Sequence, residues 1–157
     1  MRLEYFQLVD RIVDLDLVNN KIRVEASIPR ESTIFEGHCP GLPLMPGVLL
    51  IEAMAQTSGW LVIGLNNFQR MPFLAAVKEA KLRSFVGPGA NLEISAQLIH
   101  DGSGYAVTKA SIRVDGKPTC DAELTLRVMP FPDSKFRSTM EQTAARIGFP
   151  MEALADG

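Results

Sequence analysis

Residues 46–65 read PGVLLIEAMAQTSGWLVIGL and are apolar on almost every side of a helix, in a chain of 157 residues. Pro46 suits a first helical turn, where its missing N–H would lack an intrahelical partner in any case. A helix that is apolar all round is enclosed by the rest of the protein. We therefore predict a buried central helix from Val48 to Leu65, around which the rest of the chain packs.

This stretch is also near the lower length limit for a membrane-spanning helix. It contains Glu52, Gln56, Thr57 and Ser58, and a charged side chain is costly in lipid. The first 14 residues carry charges throughout and have no apolar run, unlike a secretory signal. We expect a soluble protein without a membrane span, located in the cytoplasm.

Strand patterns flank the central helix on both sides. Lys21–Ile28 alternates between apolar and polar residues, as a half-buried strand does, and Arg11–Leu17 precedes it. Asp115-Gly116 is a strong hairpin signal. Four strands are expected after the helix, at Phe73–Leu82, Asn91–His100, Tyr105–Val114 and Lys117–Val128. The simplest packing is an α+β fold in which a mostly antiparallel sheet wraps around one helix.

Two further segments complete the outline. Pro29–Pro46 is rich in proline and glycine, so we expect an irregular loop, and long ordered loops tend to carry function. Asp133 or Ser134 can cap a last helix. The apolar stripe of that helix is Phe136, Met140, Ala144 and Ile147, and Gly148 can end it. We divide the chain into a domain over residues 1–129 and a C-terminal helical extension over residues 130–157.

Composition excludes several classes of protein. The 16 Lys and Arg against 18 Asp and Glu give a net charge of −2, so nothing in the overall charge attracts nucleic acid. Cys39 and Cys120 are too few for a disulfide framework. A local basic run consists of Arg70, Lys78, Lys81 and Arg83. It is either a solvated strand face or a docking surface for an acidic carrier.

Three residues near the start of the central helix can together do acid–base chemistry. His38 lies in the constrained loop, and an imidazole titrates near neutrality. Gly47 lies at the helix N-terminus, where free N–H groups favour negative charge. Glu52 lies about 7.5 Å further along the axis at 1.5 Å per residue, where burial should raise its pKa. This set suits removal of a proton α to a thioester with loss of a β-hydroxyl group.

Each of these residues also has a simpler interpretation. His38 alone is more often a structural, hydrogen-bonded histidine, and Gly47 alone indicates only a tight helix entry. Cys39 is better interpreted as a small buried residue than as a nucleophile. No third ligand lies at metal spacing, so we expect no metal site.

The complete motif resembles the signature of bacterial β-hydroxyacyl-acyl carrier protein dehydratases, which have the hot-dog fold. The matching residues are Gly37-His38-x-Pro40-Gly41-x-Pro43-x-x-Pro46-Gly47-Val48-Leu49-x-x-Glu52-Ala53-x-Ala55-Gln56. A second stretch, Val77-Lys78-x-Ala80-Lys81-Leu82-Arg83-x-x-Val86-x-Pro88-Gly89, is similar to that family's second block. Cys39 departs from the family, which usually has Phe there. The resemblance spans roughly residues 8–128.

The resemblance implies a role for each matching residue. His38 corresponds to the catalytic base and Glu52 to the catalytic acid. The backbone N–H of Gly47 would bind the thioester carbonyl, and the backbone carbonyl of Leu44 would orient His38. Gln56 would position the acid or its water. In this family each site combines the His of one subunit with the acid of the other.

The implied reaction is dehydration of (3R)-3-hydroxyacyl-acyl carrier protein to the trans-2-enoyl product in type II fatty acid synthesis. Glu52, rather than Asp, implies dehydration without isomerisation. The enzyme would need no cofactor, because the acyl chain arrives on the phosphopantetheine of the carrier, and it would be at least a homodimer, with a trimer of dimers as the larger alternative. The short N-terminus and long tail resemble a branch that serves the very long acyl chains of lipid A.

Two other functions stay open. The first is a hot-dog thioesterase that acts on acyl-carrier or acyl-coenzyme A substrates, which would need a water placed at the carbonyl. The second is a non-catalytic acyl-binding protein, which would be expected to lose His38 or Glu52. The chain retains both residues, which favours the dehydratase.

Overall fold

The computed structural model describes residues 1–154, so the last three residues of the proposed extension lie outside the described residues. Six strands are present there: β1 Arg11–Asp16, β2 Lys21–Ser27, β3 Arg70–Leu82, β4 Asn91–Gly102, β5 Tyr105–Val114 and β6 Lys117–Pro130. The α-helices of that part are α1 Thr33–Gly37, α2 Gly47–Leu65 and α3 Ser134–Ile147, and single 3₁₀ turns lie at Leu3–Tyr5 and Met151–Ala153.

The six strands form one antiparallel sheet in the order β1-β2-β4-β5-β6-β3. In β2, β4 and β6 the inward side chains alternate with more exposed ones, as the period of two predicts. In β4 these are Leu92, Ile94 and Ala96, all buried. The sheet wraps around α2, which confirms the hot-dog fold that the resemblance implied.

The apolar character of α2 reflects burial in protein. Ala53, Met54 and Leu61 are fully enclosed, and 67% of the helix's most apolar 18-residue window is buried. Composition and length alone would allow this helix to cross a membrane, but the sheet already covers most of it. The sequence-predicted helix from Val48 to Leu65 is confirmed, with one additional residue at its start.

The prediction of a wholly irregular loop over residues 29–46 is wrong at one point, because α1 lies within it. Residues 30–36 contain neither proline nor glycine. The Ser32 hydroxyl accepts a hydrogen bond from the Ile34 N–H at 3.1 Å, which caps the first turn. Phe35 is buried and anchors this short helix to the core. A polar cap and a single apolar anchor therefore help to hold this turn and a half of helix.

The tail packs into the same core as the sheet. Asp133 caps α3 by accepting the Phe136 N–H at 2.7 Å, and Gly148 ends the helix in the left-handed region at φ +75°. Ala144 and Ile147 are fully buried. A cluster of rings fastens this end of the chain to the body: Trp60, Phe68, Phe131, Phe136, Phe73 and Phe149. The predicted stripe is therefore a packing face.

β3 is an edge strand with an open side. It pairs with β6 on one side only, and every residue from Phe73 to Leu82 is exposed. Phe73, Leu74 and Val77 are each about two-fifths exposed, although they are apolar. A long exposed edge with apolar side chains is a template for pairing with another strand.

Candidate active site

Glu52 lies on the second turn of α2, and Gln56 lies one turn later on the same face. The Gln56 side-chain N–H₂ donates to the Glu52 carboxylate at 3.2 Å and to the backbone carbonyl of Phe6 at 2.8 Å. The Gln56 carbonyl oxygen accepts the Leu8 N–H at 3.4 Å. Backbone groups of the N-terminal segment therefore hold the Gln56 amide, and this amide fixes the direction of the Glu52 carboxylate. This geometry fits the positioning role predicted for Gln56.

Glu52 is half-buried within one chain, whereas the sequence suggested a buried side chain within an apolar helix. The reason is the direction of this face of α2. Ala53 and Met54 point into the sheet and are fully buried, while Glu52 and Gln56 point away from it toward the N-terminal segment. The apolar neighbours of Glu52 along the helix are thus packed in the core, while its carboxylate is only partly enclosed.

Glu52 opens onto an elongated cleft of about 420 Å³. One wall is the face of α2 from Glu52 to Ile63, and the opposite walls are the N-terminal segment and the first residues of β3. Beyond the acid the lining is mainly apolar, with Trp60, Met71 and Leu74. Such a cleft, mainly apolar with a few polar groups, is typical of a ligand site.

His38 is placed very differently. It is the residue at which α1 ends, its backbone N–H donates to the Ile34 carbonyl at 3.0 Å, and its side chain is exposed. Among residues 1–154 no hydrogen bond or ion pair holds the imidazole, and His38 does not line the cleft that contains Glu52. The orienting contact from the Leu44 carbonyl stays a prediction.

The base of α1 is fastened by Glu4, from the 3₁₀ turn near the N-terminus. One carboxylate oxygen accepts from the Ser32 hydroxyl at 2.6 Å and from the N–H and hydroxyl of Thr33, both at 3.0 Å. These hydrogen bonds, that of Ser32 foremost, lower the pKa of Glu4 from 4.5 to about 2. The same N-terminal segment thus holds α1 through Glu4 and Gln56 through the backbone of Phe6.

Gly47 is the first residue of α2, and its N–H has no acceptor among residues 1–154. The N–H groups of Leu49 and Leu50 both turn back to the Pro46 carbonyl. A free N–H at a helix N-terminus is a donor for developing negative charge. A Cβ at Gly47 would come 2.5 Å from a Leu82 methyl group, so glycine lets the end of β3 pack closely against the start of α2.

The structure divides the basic run into two places. Arg70 is the first residue of β3, and Lys78 lies eight residues along the same strand, about 26 Å away at 3.3 Å per residue. Arg70 therefore does not share a surface patch with the other three residues.

Lys78, Lys81 and Arg83 do lie together, but beside acidic residues. A bulge between Lys78 and Lys81 places them opposite Glu123 and Asp121 of β6, and Arg83 forms an ion pair with Asp121. Glu123 and Asp121 alternate with buried residues, so this group lies on the outer face of the sheet. The positive charge available to a carrier is smaller than the sequence run suggests.

The thiols show no sign of a nucleophile. Burial raises the pKa of the Cys120 thiol to about 12, so it stays protonated at neutral pH. Cys39 is half-buried next to His38, less enclosed than the sequence interpretation expected. The acid–base residues therefore remain the chemically useful groups of this site.

Sequence reasoning missed two contributors to the cleft. The Phe6 carbonyl that holds Gln56 is a backbone atom, so no residue type indicates it. Met140, Thr143 and Arg146 of α3 line the far part of the cleft. The helical stripe showed that α3 packs against something, but not that it borders the same cavity as Glu52.

Fold and site together define a hot-dog protein with an acid at the head of an apolar cleft. A model of the FabA-like domain matches residues 2–123. The chain is 35% identical over 122 residues to the 3-hydroxyacyl-[acyl-carrier-protein] dehydratase FabZ of Ligilactobacillus salivarius, with 77% of this chain and 86% of that protein aligned. It is 39% identical over 119 residues to the protein of the same name from Latilactobacillus sakei, with 75% and 84% aligned. The chain belongs to the FabA-like family.

Solved structures share the fold at lower identity. The dehydratase heterocomplex ApeI:P of Xenorhabdus doucetiae aligns with a TM-score of 0.65 at 15% identity, over 87% of this chain and 90% of that one. A hypothetical thioesterase from Streptococcus pneumoniae, solved with coenzyme A, aligns with a TM-score of 0.62 at 17% identity, over 78% and 88%. Dehydratases and thioesterases thus share this fold, and the site residues must distinguish them.

Proposed function

We propose that this chain removes water from (3R)-3-hydroxyacyl groups carried on acyl carrier protein and forms the trans-2-enoyl thioester. The observation that carries the proposal is the Glu52–Gln56 pair, hydrogen-bonded at 3.2 Å at the head of an apolar cleft. The relatives that align over most of the chain at 33–39% identity are named 3-hydroxyacyl-[acyl-carrier-protein] dehydratase FabZ. The reaction belongs to type II fatty acid synthesis.

The proposed mechanism is an acid–base elimination. The neutral imidazole of His38 takes the proton from C2, and the electron pair of the C–H bond forms the C2–C3 double bond. The Gly47 N–H stabilises the negative charge that develops on the thioester oxygen. Protonated Glu52 gives its proton to the hydroxyl that leaves C3, so the products are water and the enoyl thioester. Proton transfer from His38 back to Glu52 through water restores both groups.

We propose that the complete site needs two copies of the chain. His38 lies outside the cleft that contains Glu52, so one chain presents the acid without its base. The exposed edge of β3 supplies a surface on which a second copy can pair. Exposed apolar residues near the start of α2, Val48 at 72% and Phe85 at 85%, add to that surface. A homodimer would bring His38 of the partner subunit to Glu52, and a trimer of dimers is the larger alternative.

The remaining proposals concern partners and location. The carrier is acidic, and we assign its docking to Lys78, Lys81 and Arg83, with Arg70 as a separate contact. Because both proton transfers use side chains, the enzyme needs no metal or redox cofactor of its own. We place it in the cytoplasm, where carrier-bound acyl chains are made. Long acyl chains of the lipid A type are the finer hypothesis on substrate.

Product analysis tests this function against its alternatives. The full-length protein is incubated with a 3-hydroxyacyl carrier thioester, and the products are resolved by mass spectrometry. A dehydratase gives a loss of 18 mass units, about one water, with the thioester intact. Release of free acid and carrier thiol would show a thioesterase, and an unchanged substrate that co-purifies with the protein would show an acyl-binding protein. Either of the last two results overturns the proposal.

A further inference from the structure

We infer that α3 closes the far end of the cleft and sets the length of acyl chain that the enzyme accepts, with Met140 as the stop. This inference rests on the proposed function, because the cleft is taken as the place of the acyl chain. The family match ends at residue 123, and α3 begins at Ser134. The far wall is therefore built by a part of the chain that the family model does not cover.

The position of α3 follows from its contacts. Phe149, just after the helix, lies 5.7 Å from Trp60 between ring centroids, and its ring tip is 3.6 Å from the place of a Cβ on Gly64. Phe136, near its start, stacks on Phe73 at 6.5 Å. Trp60 and Gly64 lie in the C-terminal half of α2, which places α3 away from the catalytic end.

The arrangement of β3 gives the same direction independently. Leu82, its last residue, lies against Gly47 at the start of α2. Pro72, near its start, lies 3.6 Å from the place of a Cβ on Gly59, further along the helix, so β3 and α2 run antiparallel. The first residues of β3 therefore flank the C-terminal half of α2, where Phe73 meets α3. Glu52 and α3 lie at opposite ends of one cleft.

The length of the cleft sets a scale. From Glu52 to Ile63 there are 11 residues of α2, or about 16 Å at 1.5 Å per residue. A fully extended chain advances about 1.2 Å per bond, one third of the span of a three-bond residue. About 13 bonds therefore span the cleft from Glu52 to the level of Ile63, which corresponds to long-chain acyl groups.

The chemistry of the far wall also changes at α3. Met140 is a half-buried apolar residue on the face of α3 that borders the cleft. Thr143 and Arg146 follow on the same lining. An alkyl end that reaches α3 would meet a hydroxyl group and a guanidinium group beside Met140, where it gains less from burial than against wholly apolar walls. The ring cluster fixes α3 in place, so this stop is rigid.

The test replaces Met140 in the full-length protein by a larger and by a smaller residue. We expect M140W to lower kcat/KM about tenfold for the longest accepted hydroxyacyl carrier substrate, the usual worth of one or two methylene groups in an apolar pocket, and to stay within about twofold on a four-carbon substrate. M140A should extend activity to substrates about two carbons longer. Q142W is the matched control, because Gln142 is exposed on α3 and does not line the cleft.

Mass and melting temperature are measured on all three variants, so that misfolding is recognised. A chain-length profile that is unchanged in folded M140W and M140A would overturn the inference, and so would an equal shift in Q142W. A change in oligomeric mass without a change in profile would show that this face of α3 is a subunit contact, which also overturns it. If wild type dehydrates no substrate, the proposed function fails, and this outcome is distinct from an active enzyme whose profile does not move.

Discussion

The acid half and the base half of the site are built in opposite ways. Glu52 stands on a 19-residue helix enclosed by the sheet, and Gln56 holds its carboxylate from the next turn. His38 stands at the end of a five-residue helix, exposed, and α1 itself is fastened from a distance by Glu4. The acid half is complete within one chain, while the base half ends in a free side chain. This difference supports our proposal that His38 serves the cleft of another copy.

Replacing either half of the acid–base pair should have the largest effect. We expect H38A and E52Q each to lower kcat by about 10²–10⁴, the usual worth of a positioned acid or base. Melting temperatures should stay near wild type, because His38 is exposed and glutamine has nearly the shape of glutamate. Steady-state kinetics on a hydroxyacyl carrier substrate measures this. If one variant stays fully active, that residue is not part of the chemistry.

A smaller effect is expected when the hydrogen bonds that position Glu52 are removed and Glu52 itself is kept. Q56A deletes the hydrogen bond to Glu52 and the bond to the Phe6 carbonyl. At about 1 kcal/mol each, their loss should lower kcat by up to about thirtyfold. The control is Q97A, at an exposed glutamine of β4. A kcat equal to that of the control would show that Gln56 holds only the N-terminal segment and does not act through Glu52.

The stability of α1, which carries His38 at its end, should depend on Glu4 and on pH. Because the folded-state pKa of Glu4 is lowered from 4.5 to about 2, its hold on α1 is complete above pH 4.5 and is lost as pH falls through about 2. E4Q should speed amide exchange at Thr33, whose N–H donates to this carboxylate, and should lower kcat a few-fold. Wild-type protection should weaken below pH 4.5 and approach that of E4Q.

E31Q is the matched control, since Glu31 is an exposed glutamate two residues before Thr33. Equal exchange at Thr33 in wild type and E4Q at neutral pH would remove Glu4 from the account of how His38 is positioned.

The smallest expected effect concerns the carrier. Reversing charge at Lys78 and Lys81 should raise KM about fivefold for carrier-bound substrate and much less for a coenzyme A analogue, because only the carrier presents an acidic surface. The effect should shrink with salt, since exposed charges are screened over about 8–10 Å near physiological ionic strength. K135E on α3 is the control. Equal losses on both substrates at every salt concentration would contradict the docking assignment.

How well the sequence predicted this molecule depends on how local each feature is. The bounds of α2 and the cap of α3 at Asp133 follow from residues within a few positions of one another. α1 was missed because Glu4, which fastens it, lies 28 positions before Ser32 in the sequence. Long-range contacts of this kind leave no periodic signal.

The same distinction between local and long-range features applies to the site. The motif identified Glu52 and Gln56, and the structure places them in contact. Glu52 is only half-buried because it lies on the side of α2 that faces away from the sheet. The helix sequence is apolar all round, so it does not indicate which side that is. The basic run suggested one patch, but Arg70 begins β3 while Arg83 directly follows its last residue, and Arg83 forms an ion pair with Asp121 of the neighbouring strand β6. Cross-strand neighbours come from pairing register, which the sequence does not state.

The central claim is that each site joins Glu52 of one chain to His38 of the partner subunit. Mixing H38A with E52Q after subunit exchange tests it directly. Random mixing makes about half of the dimers mixed, and each holds one intact site of two, so activity should return to roughly a quarter of wild type if the sites act independently. Exchange is verified by native mass spectrometry with differently tagged chains. Mixed dimers that form but remain as inactive as the parent variants would contradict the shared site.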